Sequence, residues 1–264
     1  MKYVKVNDIQ LAYFEIGKGL PLVFVHGFPL NHRMWEPQFT DLQDVGHLIA
    51  PDLPGHGESG SRSGVYFMDQ VADDVNALVD ALEISVPLVL CGLSLGGYML
   101  GQYFTKYGLR LAGLIFTATR ASGDSPEAKL NRDRLVGIAE SGGVNALVDA
   151  VLPKFMAPQT YQTHPELVKQ VRDIMQAASL HGAIGDLLGM KARPDTFDLI
   201  ANIRIPTLVI HGTQDQLIPL SEAERIRDTI PGSRLVIIPE AGHLPNLEQP
   251  DLFNRAVRDF LRQL

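Results

Sequence analysis

The sequence has little of what marks a secreted or membrane-bound protein. Its 264 residues include a single cysteine, Cys91, so no disulfide can form within the chain. The N-terminal residues lack the long apolar segment of a signal peptide, and no apolar stretch approaches the roughly 18 residues that a membrane span needs. These absences predict a cytoplasmic protein without a membrane partner.

Basic residues are also scarce. The chain has 23 Lys and Arg against 30 Asp and Glu, a net charge of −7 that disfavours nucleic acid or an anionic membrane as a partner. Hydrophobic residues make up 45% of the chain, which is enough for a large buried core. A length of 264 residues is more typical of one α/β body with an insertion than of two independent folds.

Strand and helix patterns alternate along most of the chain. Continuous apolar runs such as Pro21–Val25 and Pro206–His211 predict strands that are buried on both faces. Segments with helical spacing of apolar residues, such as 69–82 and 252–264, follow strands of this kind. The alternation predicts an α/β fold with a mostly parallel, twisted sheet and helices on both of its faces.

Two further patterns refine the N-terminal part. Tyr3–Val6 and Ile9–Ile16, separated by two polar residues, predict a β-hairpin. Residues 31–42 predict a short helix that is broken at Pro37.

The pattern changes between about residue 121 and residue 198. This stretch contains helical segments but no convincing strand, and the helices are predicted at 126–140, 144–152, 165–179 and 181–190. We therefore predict a core domain formed by residues 1–120 and 199–264, with residues 121–198 inserted as a helical cap over the site.

A nucleophilic serine is predicted at Ser94. The segment Gly92-Leu93-Ser94-Leu95-Gly96 follows an apolar strand pattern and precedes a helical one, the context in which a G-x-S-x-G turn exposes its serine. The small residues two positions before and after Ser94 allow a tight turn. The start of the following helix directs free N–H groups toward developing negative charge.

A serine hydroxyl needs a base, and the base needs a third group that holds its tautomer. Both partners should lie in loops at the carboxyl ends of strands, where ligands bind in an open α/β sheet. His243 follows the last predicted strand, and Asp215 follows the strand before it, which gives the expected chain order of nucleophile, acid and base. Asp52 and Asp124 are the other carboxylates that follow strands, and Asp52 is interpreted as bracing its Pro/Gly-rich loop.

The oxyanion that forms during acyl transfer needs two backbone donors. We predict the N–H groups of Leu95 and Phe28, the latter in the loop after the Pro21–Val25 strand. Arg120, just after another strand, could bind a substrate carboxylate, although arginine is more often a solvated surface residue. No spacing of His, Cys or acidic residues indicates a metal site, and no dinucleotide motif is present, so no cofactor is predicted.

These motifs resemble the landmarks of the α/β-hydrolase superfamily over nearly the whole chain. The matching segments, in order, are His26-Gly27-Phe28, Asp52 to Ser59, Gly92 to Gly97, Gly212 to Asp215 and Ala241-Gly242-His243. Within the superfamily, Met34-Trp35 and the segment Cys91 to Gly97 resemble the group of 3-oxoadipate enol-lactonases and small carboxylesterases. This resemblance implies an α/β-hydrolase fold with an inserted cap, and it makes Trp35 a candidate substrate-binding residue.

The function predicted from these residues is that of a serine hydrolase. Ser94, His243 and Asp215 would cleave small carboxylic esters or lactones through an acyl-enzyme intermediate, with a small-molecule substrate and no cofactor. Two alternatives stay open. One is an enol-lactonase-like or carbon–carbon bond hydrolase acting on an anionic ring-cleavage product, and the other is a slow-turnover ligand receptor on a hydrolase scaffold.

Overall fold

Eight strands form one sheet in the computed structural model, which describes residues 1–264. They are β1 (Lys2–Val6), β2 (Ile9–Gly17), β3 (Pro21–Val25), β4 (His47–Pro51), β5 (Leu88–Leu93), β6 (Leu111–Thr117), β7 (Thr207–Gly212) and β8 (Arg234–Ile238). Their spatial order is β1-β2-β4-β3-β5-β6-β7-β8. The pairs β1/β2 and β2/β4 are antiparallel, and all other pairs are parallel. The predicted N-terminal hairpin and the mostly parallel sheet are confirmed.

The burial of the strands follows their sequence patterns. Every residue of β3, β5 and β7 is buried, because these continuous apolar runs lie inside the sheet and are covered on both faces. β8 lies at the edge and is only partly buried. The carboxyl ends of the parallel strands therefore meet at one edge, where the candidate site residues follow β3, β5, β7 and β8.

Helices cover both faces of the sheet, as predicted. They are α1 (Glu36–Leu42), α2 (Met68–Ala81), α3 (Leu95–Tyr98), α4 (Leu100–Tyr107), α5 (Pro126–Val151), α6 (Thr160–Thr163), α7 (Pro165–Gln176), α8 (Leu180–Ala192), α9 (Phe197–Ile200), α10 (Leu220–Thr229), α11 (Pro245–Glu248) and α12 (Pro250–Leu261). Helices α2, α4, α9 and α10 contribute to the core on one face. Helices α1, α11 and α12 contribute to the core on the other face.

The predicted helix break at Pro37 is wrong. A short 3₁₀ helix, His32–Trp35, is capped by the Asn31 side chain, and α1 begins directly after it at Glu36. Pro37 lies in the first turn of α1. N–H groups in the first turn have no acceptor within the helix, so a proline there removes no intrahelical hydrogen bond. Proline therefore marks the start of this helix rather than its interruption.

Only helices, α5 to α9, lie between β6 and β7. Gly143 has a φ of 71° and interrupts α5 between the two helices that the sequence predicts for this stretch. The division into a core and a cap at residues 121–198 stays a prediction. Its end at residue 198 falls inside α9, which packs on the core helices α4 and α10.

One helical stretch, Pro126–Lys154, is long and apolar enough to cross a membrane by length and composition alone. It packs against α8 and α7 of the same chain, and Leu135 and Val148 on it are buried in the two cores. The predicted absence of a membrane partner stays a prediction.

The single cysteine is a core residue. Cys91 lies in β5, is fully buried, and has a pKa that burial raises to about 12. Its thiol is therefore uncharged and packs as a small apolar side chain. The cytoplasmic location that the cysteine content predicts stays a prediction.

Close backbone contact fixes helix α8 on the core. A Cβ atom on Gly55, in the loop after β4, would overlap Gly182 of α8, and one on Gly189 would overlap the Tyr66 carbonyl. The N–H of Ser179 also donates to the Gly55 carbonyl at 2.7 Å. These small residues let α8 approach the core more closely than any larger side chain would allow.

A buried polar pair lies at the same contact between α8 and the loop after β4. His56 Nε2 and Asp186 Oδ2 are 3.4 Å apart, and neither atom has another hydrogen-bond partner. Burial lowers the pKa of His56 to about 3 and raises the pKa of Asp186 well above its ordinary value. His56 Nδ1 donates to the Pro54 carbonyl at 3.1 Å, so Nε2 is the acceptor nitrogen. The raised pKa of Asp186 favours a protonated carboxyl, the form that can donate to this nitrogen.

The raised pKa of Asp186 makes stability depend on pH. A carboxyl group whose pKa is raised on folding stabilises the fold fully below its unfolded-state pKa of about 4, and this contribution is lost as the pH rises. In Asp186→Asn the side chain stays neutral and still offers an N–H to His56. We expect the Tm of Asp186→Asn, relative to the wild type, to increase from about pH 4 to about pH 8, since each pKa unit corresponds to about 1.4 kcal/mol.

Thermal unfolding of both proteins across this pH range tests the prediction. Asp228→Asn is the matched control, because Asp228 has an exposed carboxylate. Its Tm difference from the wild type should be small and independent of pH. A Tm of Asp186→Asn below that of the wild type at the alkaline end would show that the ionised carboxylate stabilises the fold.

Candidate active site

Ser94 occupies the sharp turn between β5 and α3. Its φ of 51° and ψ of −110° form a conformation that residues with a β-carbon rarely adopt. The Ser94 N–H donates to the Thr117 carbonyl at 2.9 Å, and the Ser94 carbonyl accepts from the Thr119 hydroxyl at 2.8 Å. The end of β6 therefore holds the turn from both sides of the serine.

Glycines allow this turn to form. A Cβ atom on Gly92 would overlap the Gly96 carbonyl, and one on Gly96 would lie 2.5 Å from the Val25 carbonyl of β3. A Cβ atom on Gly97 would overlap the Thr119 side chain. The pattern of glycines around Ser94 thus reflects contacts of the turn with both neighbouring strands.

Asp215 and His243, which follow β7 and β8, are hydrogen-bonded to each other. His243 Nδ1 lies 2.8 Å from Asp215 Oδ2, and both side chains are almost completely buried. A carboxylate only accepts, so Nδ1 carries the proton and Nε2 is left as the basic nitrogen. The N–H groups of Leu217 and Ile218 donate to Asp215 Oδ1 at 2.8 and 3.0 Å.

The electrostatic setting keeps Asp215 ionised. Burial alone would raise its pKa, but the charge and hydrogen bond of His243, the nearby His211 and the Ile218 N–H bring the pKa below its ordinary value. An ionised Asp215 can orient His243 and stabilise its protonated form.

A cavity of about 320 Å³ brings the candidate residues together. Ser94, His243 and Phe28 line it, and so does Arg120. Ser94 is 8% exposed, and no hydrogen bond joins it to His243 in this structure. Such catalytic hydrogen bonds are often long in ligand-free enzymes and tighten when substrate binds.

The two predicted oxyanion donors lie beside the serine. Leu95 is the first residue of α3, so its N–H has no acceptor within the helix. The Phe28 N–H, in the turn after β3, donates to no other backbone group. Gly27 brings this turn close, because a Cβ atom on it would lie 3.2 Å from the Ser94 Cβ.

Glu248 of α11 ties the His243 loop to the segment around Ala157. Its Oε1 accepts from the Gly242 N–H at 2.8 Å, and its Oε2 accepts from the Ala157 N–H at 2.8 Å. The His243 N–H donates to the Phe155 carbonyl at 3.1 Å. No sequence pattern indicates Glu248, because its contacts are with a segment 91 residues away.

The other candidate carboxylates and histidines have structural partners. Asp52 accepts from the N–H groups of His32 and Glu58, so it braces its loop as predicted. His26 Nε2 accepts from the Leu53 N–H at 2.8 Å. The structure contains no group of three or more His, Cys, Asp or Glu side chains placed to hold a metal ion. The prediction that no cofactor is needed stays a prediction.

The structure does not bring Trp35 to the cavity, so its predicted role in substrate binding is wrong. Its side chain is fully buried in the core, with ring centroids 4.8 Å from Phe24 and 6.1 Å from Phe253. Core packing explains the tryptophan, because a large aromatic ring fills the space between β3 and α12.

Arg120 does line the cavity, but it is not alone. Its guanidinium lies 2.8 Å from the buried Asp124 carboxylate, which also binds Arg132 at 3.0 Å and Arg193 at 3.2 Å. Arg193 lies 3.9 Å above the Tyr98 ring, and Tyr98 lines the cavity. No sequence pattern indicates these partners, because the positions of helices α5 and α8 relative to the sheet cannot be predicted from periodicity.

Comparison with known proteins shows the family of the chain. Residues 21–250 match the family described as alpha/beta hydrolase fold. A thermophilic esterase from Thermogutta terrifontis, solved with malate bound, is 40% identical, with 100% of this chain and 99% of that chain covered and a TM-score of 0.96. The enol-lactonase from Burkholderia xenovorans LB400 is 29% identical, with 99% and 100% covered and a TM-score of 0.92.

A relative found by its sequence is also an enol-lactonase. The 3-oxoadipate enol-lactonase 2 of Acinetobacter baylyi is 29% identical over 260 residues, which cover 97% of this chain and 95% of that protein. The fold, the family match and these relatives agree over nearly the whole chain. The chain belongs to the α/β-hydrolase fold family, as an enzyme of the carboxylic ester hydrolase type.

Proposed function

We propose that Ser94, His243 and Asp215 hydrolyse small carboxylic esters or lactones through an acyl-enzyme intermediate. The observation that carries this proposal is the 2.8 Å hydrogen bond between Asp215 and His243 Nδ1, beside a cavity that Ser94 and His243 both line. It supports a base of defined tautomer next to a nucleophile on a strained turn.

Acylation begins with attack of Ser94 Oγ on the substrate carbonyl. His243 Nε2 takes the hydroxyl proton, and Asp215 stabilises the imidazolium that forms. The N–H groups of Phe28 and Leu95 donate to the oxyanion of the tetrahedral intermediate. His243 then returns the proton to the leaving alcohol.

Deacylation uses the same residues in the same roles. His243 takes a proton from water, which attacks the acyl-enzyme, and the oxyanion is again bound by the two backbone donors. Ser94 is regenerated with the proton that His243 carries. No cofactor is required by this sequence of steps.

The cavity supports a small substrate. Its volume of about 320 Å³ is at the lower end of ligand pockets, and part of its wall comes from Leu135, Val151 and Met190. These residues lie in the proposed cap, residues 121–198, which would cover the site and exclude water during acyl transfer.

Replacement of the triad residues tests the proposal directly. With p-nitrophenyl esters from acetate to octanoate, we expect Ser94→Ala to lower kcat by at least about 10⁴-fold, because the nucleophile is lost. Asp215→Asn should lower kcat by about 10³- to 10⁴-fold, because it favours the wrong histidine tautomer. Short esters should be preferred, since the cavity is small.

The matched control is Ser141→Ala, which removes an exposed hydroxyl on α5 and should leave kcat unchanged. Equal melting temperatures would show that the variants fold. Turnover of esters by Ser94→Ala at the wild-type rate would refute the proposal. Slow single turnover by the wild type, with a ligand-dependent rise in Tm, would favour the receptor alternative instead.

We further propose that Glu248 positions the His243 loop. In Glu248→Gln one of the two carboxylate oxygens is replaced by an NH2 group. Only one of the Gly242 and Ala157 N–H groups then keeps its acceptor, and the other faces a donor. We expect a loss of stability of about 1–3 kcal/mol and a kcat lowered about tenfold with KM unchanged, because His243 moves relative to bound substrate.

Steady-state kinetics and thermal unfolding of Glu248→Gln measure both effects. Glu166→Gln, an exposed change at the start of α7, is the matched control and should alter neither quantity. A loss of stability without a change in kcat would reduce Glu248 to a purely structural residue.

A further inference from the structure

His211 is a buried histidine that takes no step in the proposed mechanism. It lies in β7, one residue before the end of the strand, and its side chain is fully buried. It does not line the cavity that Ser94 lines. A polar side chain inside a core needs hydrogen-bond partners to offset the loss of its contacts with water. The partners of His211 therefore indicate its role.

The imidazole ring of His211 has one paired and one unpaired nitrogen. Its Nε2 lies 3.0 Å from the Ile218 carbonyl oxygen, whereas its buried Nδ1 has no hydrogen-bond partner. A carbonyl oxygen only accepts, so Nε2 carries the proton. Burial lowers the pKa of His211 below its ordinary value, which keeps the ring neutral at neutral pH. Because an unpaired buried nitrogen is unfavourable, His211 stabilises this region only through Nε2.

The Nε2 of His211 also lies close to the Asp215 carboxylate. The distance to Asp215 Oδ2 is 3.6 Å, and the same oxygen binds His243 Nδ1 at 2.8 Å. A distance of 3.6 Å is too long for a good hydrogen bond, but it places a polar N–H group beside the negative oxygen. Asp215 Oδ2 is thus near two histidine N–H groups, one from His243 and one from β7.

The remaining contacts of the Asp215 carboxylate come from its own loop, residues 213–218. Oδ1 accepts from the N–H groups of Leu217 and Ile218 at 2.8 and 3.0 Å. These donors are two and three residues away in the chain. They therefore orient the carboxylate within the loop but do not attach the loop to the sheet.

The two ends of this loop are attached to the sheet by different contacts. At the start, the N–H groups of Thr213 and Gln214 donate at 3.0 and 2.8 Å to backbone carbonyls of β8 and of the loop that follows it. At the far end, the Ile218 side chain is buried in the core, and the Ile218 carbonyl binds His211. Since His211 belongs to β7, its bond closes the loop onto the strand from which the loop starts.

Closure of the loop also sets the position of the carboxylate. Ile218 is bound at both of its backbone groups, because its N–H donates to Asp215 and its carbonyl accepts from His211. A displacement of Ile218 therefore displaces Asp215 as well. A role limited to stability would need the carbonyl contact alone, and the short path from His211 to the carboxylate would have no consequence for activity.

We propose that His211 is a positioning residue for the Asp215–His243 pair. Its Nε2–H group holds the Ile218 end of the loop on β7, and this keeps Asp215 Oδ2 within hydrogen-bond distance of His243 Nδ1. The inference rests on the proposed hydrolysis at Ser94. His211 exchanges no proton during the reaction and touches no substrate, and it acts only through Asp215.

Two amide variants separate the N–H group from the rest of the ring. His211→Gln places an amide nitrogen where Nε2 lies, whereas His211→Asn places it where Nδ1 lies, one atom short of the Ile218 carbonyl. With p-nitrophenyl acetate we expect kcat to fall about tenfold to a hundredfold in His211→Asn, because a displacement of about 1 Å costs up to about 10²-fold. His211→Gln should retain most of the wild-type kcat. His211→Leu fills the space without an N–H group and should behave like His211→Asn.

A double-mutant cycle shows whether His211 acts through Asp215. Once the carboxylate is removed, there is nothing left for His211 to position. In the Asp215→Asn background, His211→Asn should therefore change kcat by less than about twofold, whereas independent residues would give the product of the two single losses. The rate of Ser94→Ala supplies the background for this comparison.

Val209→Ala is the matched control for a loss of stability. Val209 is buried in the same strand, two positions before His211 and hence on the same face of the sheet, and it does not line the cavity. We expect a lower Tm, because buried methyl groups are lost, and an unchanged kcat at temperatures where the protein is folded. A loss of kcat in Val209→Ala equal to that in His211→Asn would reduce His211 to a structural residue.

The proton between His243 and Asp215 gives a readout that needs no turnover. A proton held on an imidazole nitrogen by a carboxylate is strongly deshielded and gives a separate ¹H NMR resonance, and its absence in Asp215→Asn assigns it. We expect this resonance in the wild type, in His211→Gln and in Val209→Ala. In His211→Asn it should broaden or disappear, because the hydrogen bond is no longer held.

The outcomes separate this inference from the proposed function. Ser94-dependent hydrolysis with a wild-type kcat in His211→Asn would overturn the positioning role and leave the hydrolase intact, and so would independent losses in the double variant. No hydrolysis of any ester by the folded protein would overturn the proposed function, and the NMR resonance would then decide the inference. An unchanged resonance in His211→Asn, or none in the wild type, would overturn it.

Discussion

The backbone at Ser94 is the constraint on which the rest of the site depends. A serine with a φ of 51° and a ψ of −110° is strained, at a cost of about 1–3 kcal/mol, and it stays in this conformation only because its surroundings hold it. The holding contacts come from both neighbouring strands. Thr117, the last residue of β6, and Thr119, two residues further along, hydrogen-bond to the Ser94 backbone. The β3 strand leaves no room for a side chain at Gly96.

The base and its acid depend on the same sheet edge. β7 and β8 are adjacent and parallel, so the loops that follow them place Asp215 and His243 side by side. Their short hydrogen bond is then a consequence of strand order. Burial of the pair strengthens this hydrogen bond, because the surrounding dielectric constant is low. Burial also raises the pKa of Asp215, and His243 and the backbone donors offset this effect, so that the carboxyl stays ionised.

The segment between β6 and β7 meets the rest of the chain through contacts of very different kinds. Helix α8 approaches the Gly55 loop through small residues, and the neutral pair of His56 and Asp186 lies in that seam. The segment at Ala157 is tied to the His243 loop by Glu248. Around the cavity itself, the contact is ionic and has surplus positive charge.

The sequence by itself determined the parts of this protein that are local. The turn at Ser94, the loops of Asp215 and His243, the buried strands and most helices follow from spacing, glycine placement and apolar periodicity within short windows. The family resemblance rests on the same segments. The prediction of a helix break at Pro37 is wrong, because proline occurs both at helix starts and at helix breaks, and only the adjoining 3₁₀ helix distinguishes the two.

Tertiary structure alone decided which residues surround the cavity. Trp35 carries a sequence match, yet packing between β3 and α12 buries it in the core. Asp124, Arg132 and Arg193 come together only once helices α5 and α8 are placed, and 69 residues separate Asp124 from Arg193. No periodicity describes contacts between segments so far apart, because each depends on how two surfaces fit. The turn that carries Ser94 could thus be predicted from the sequence, whereas the charge of its surroundings could not.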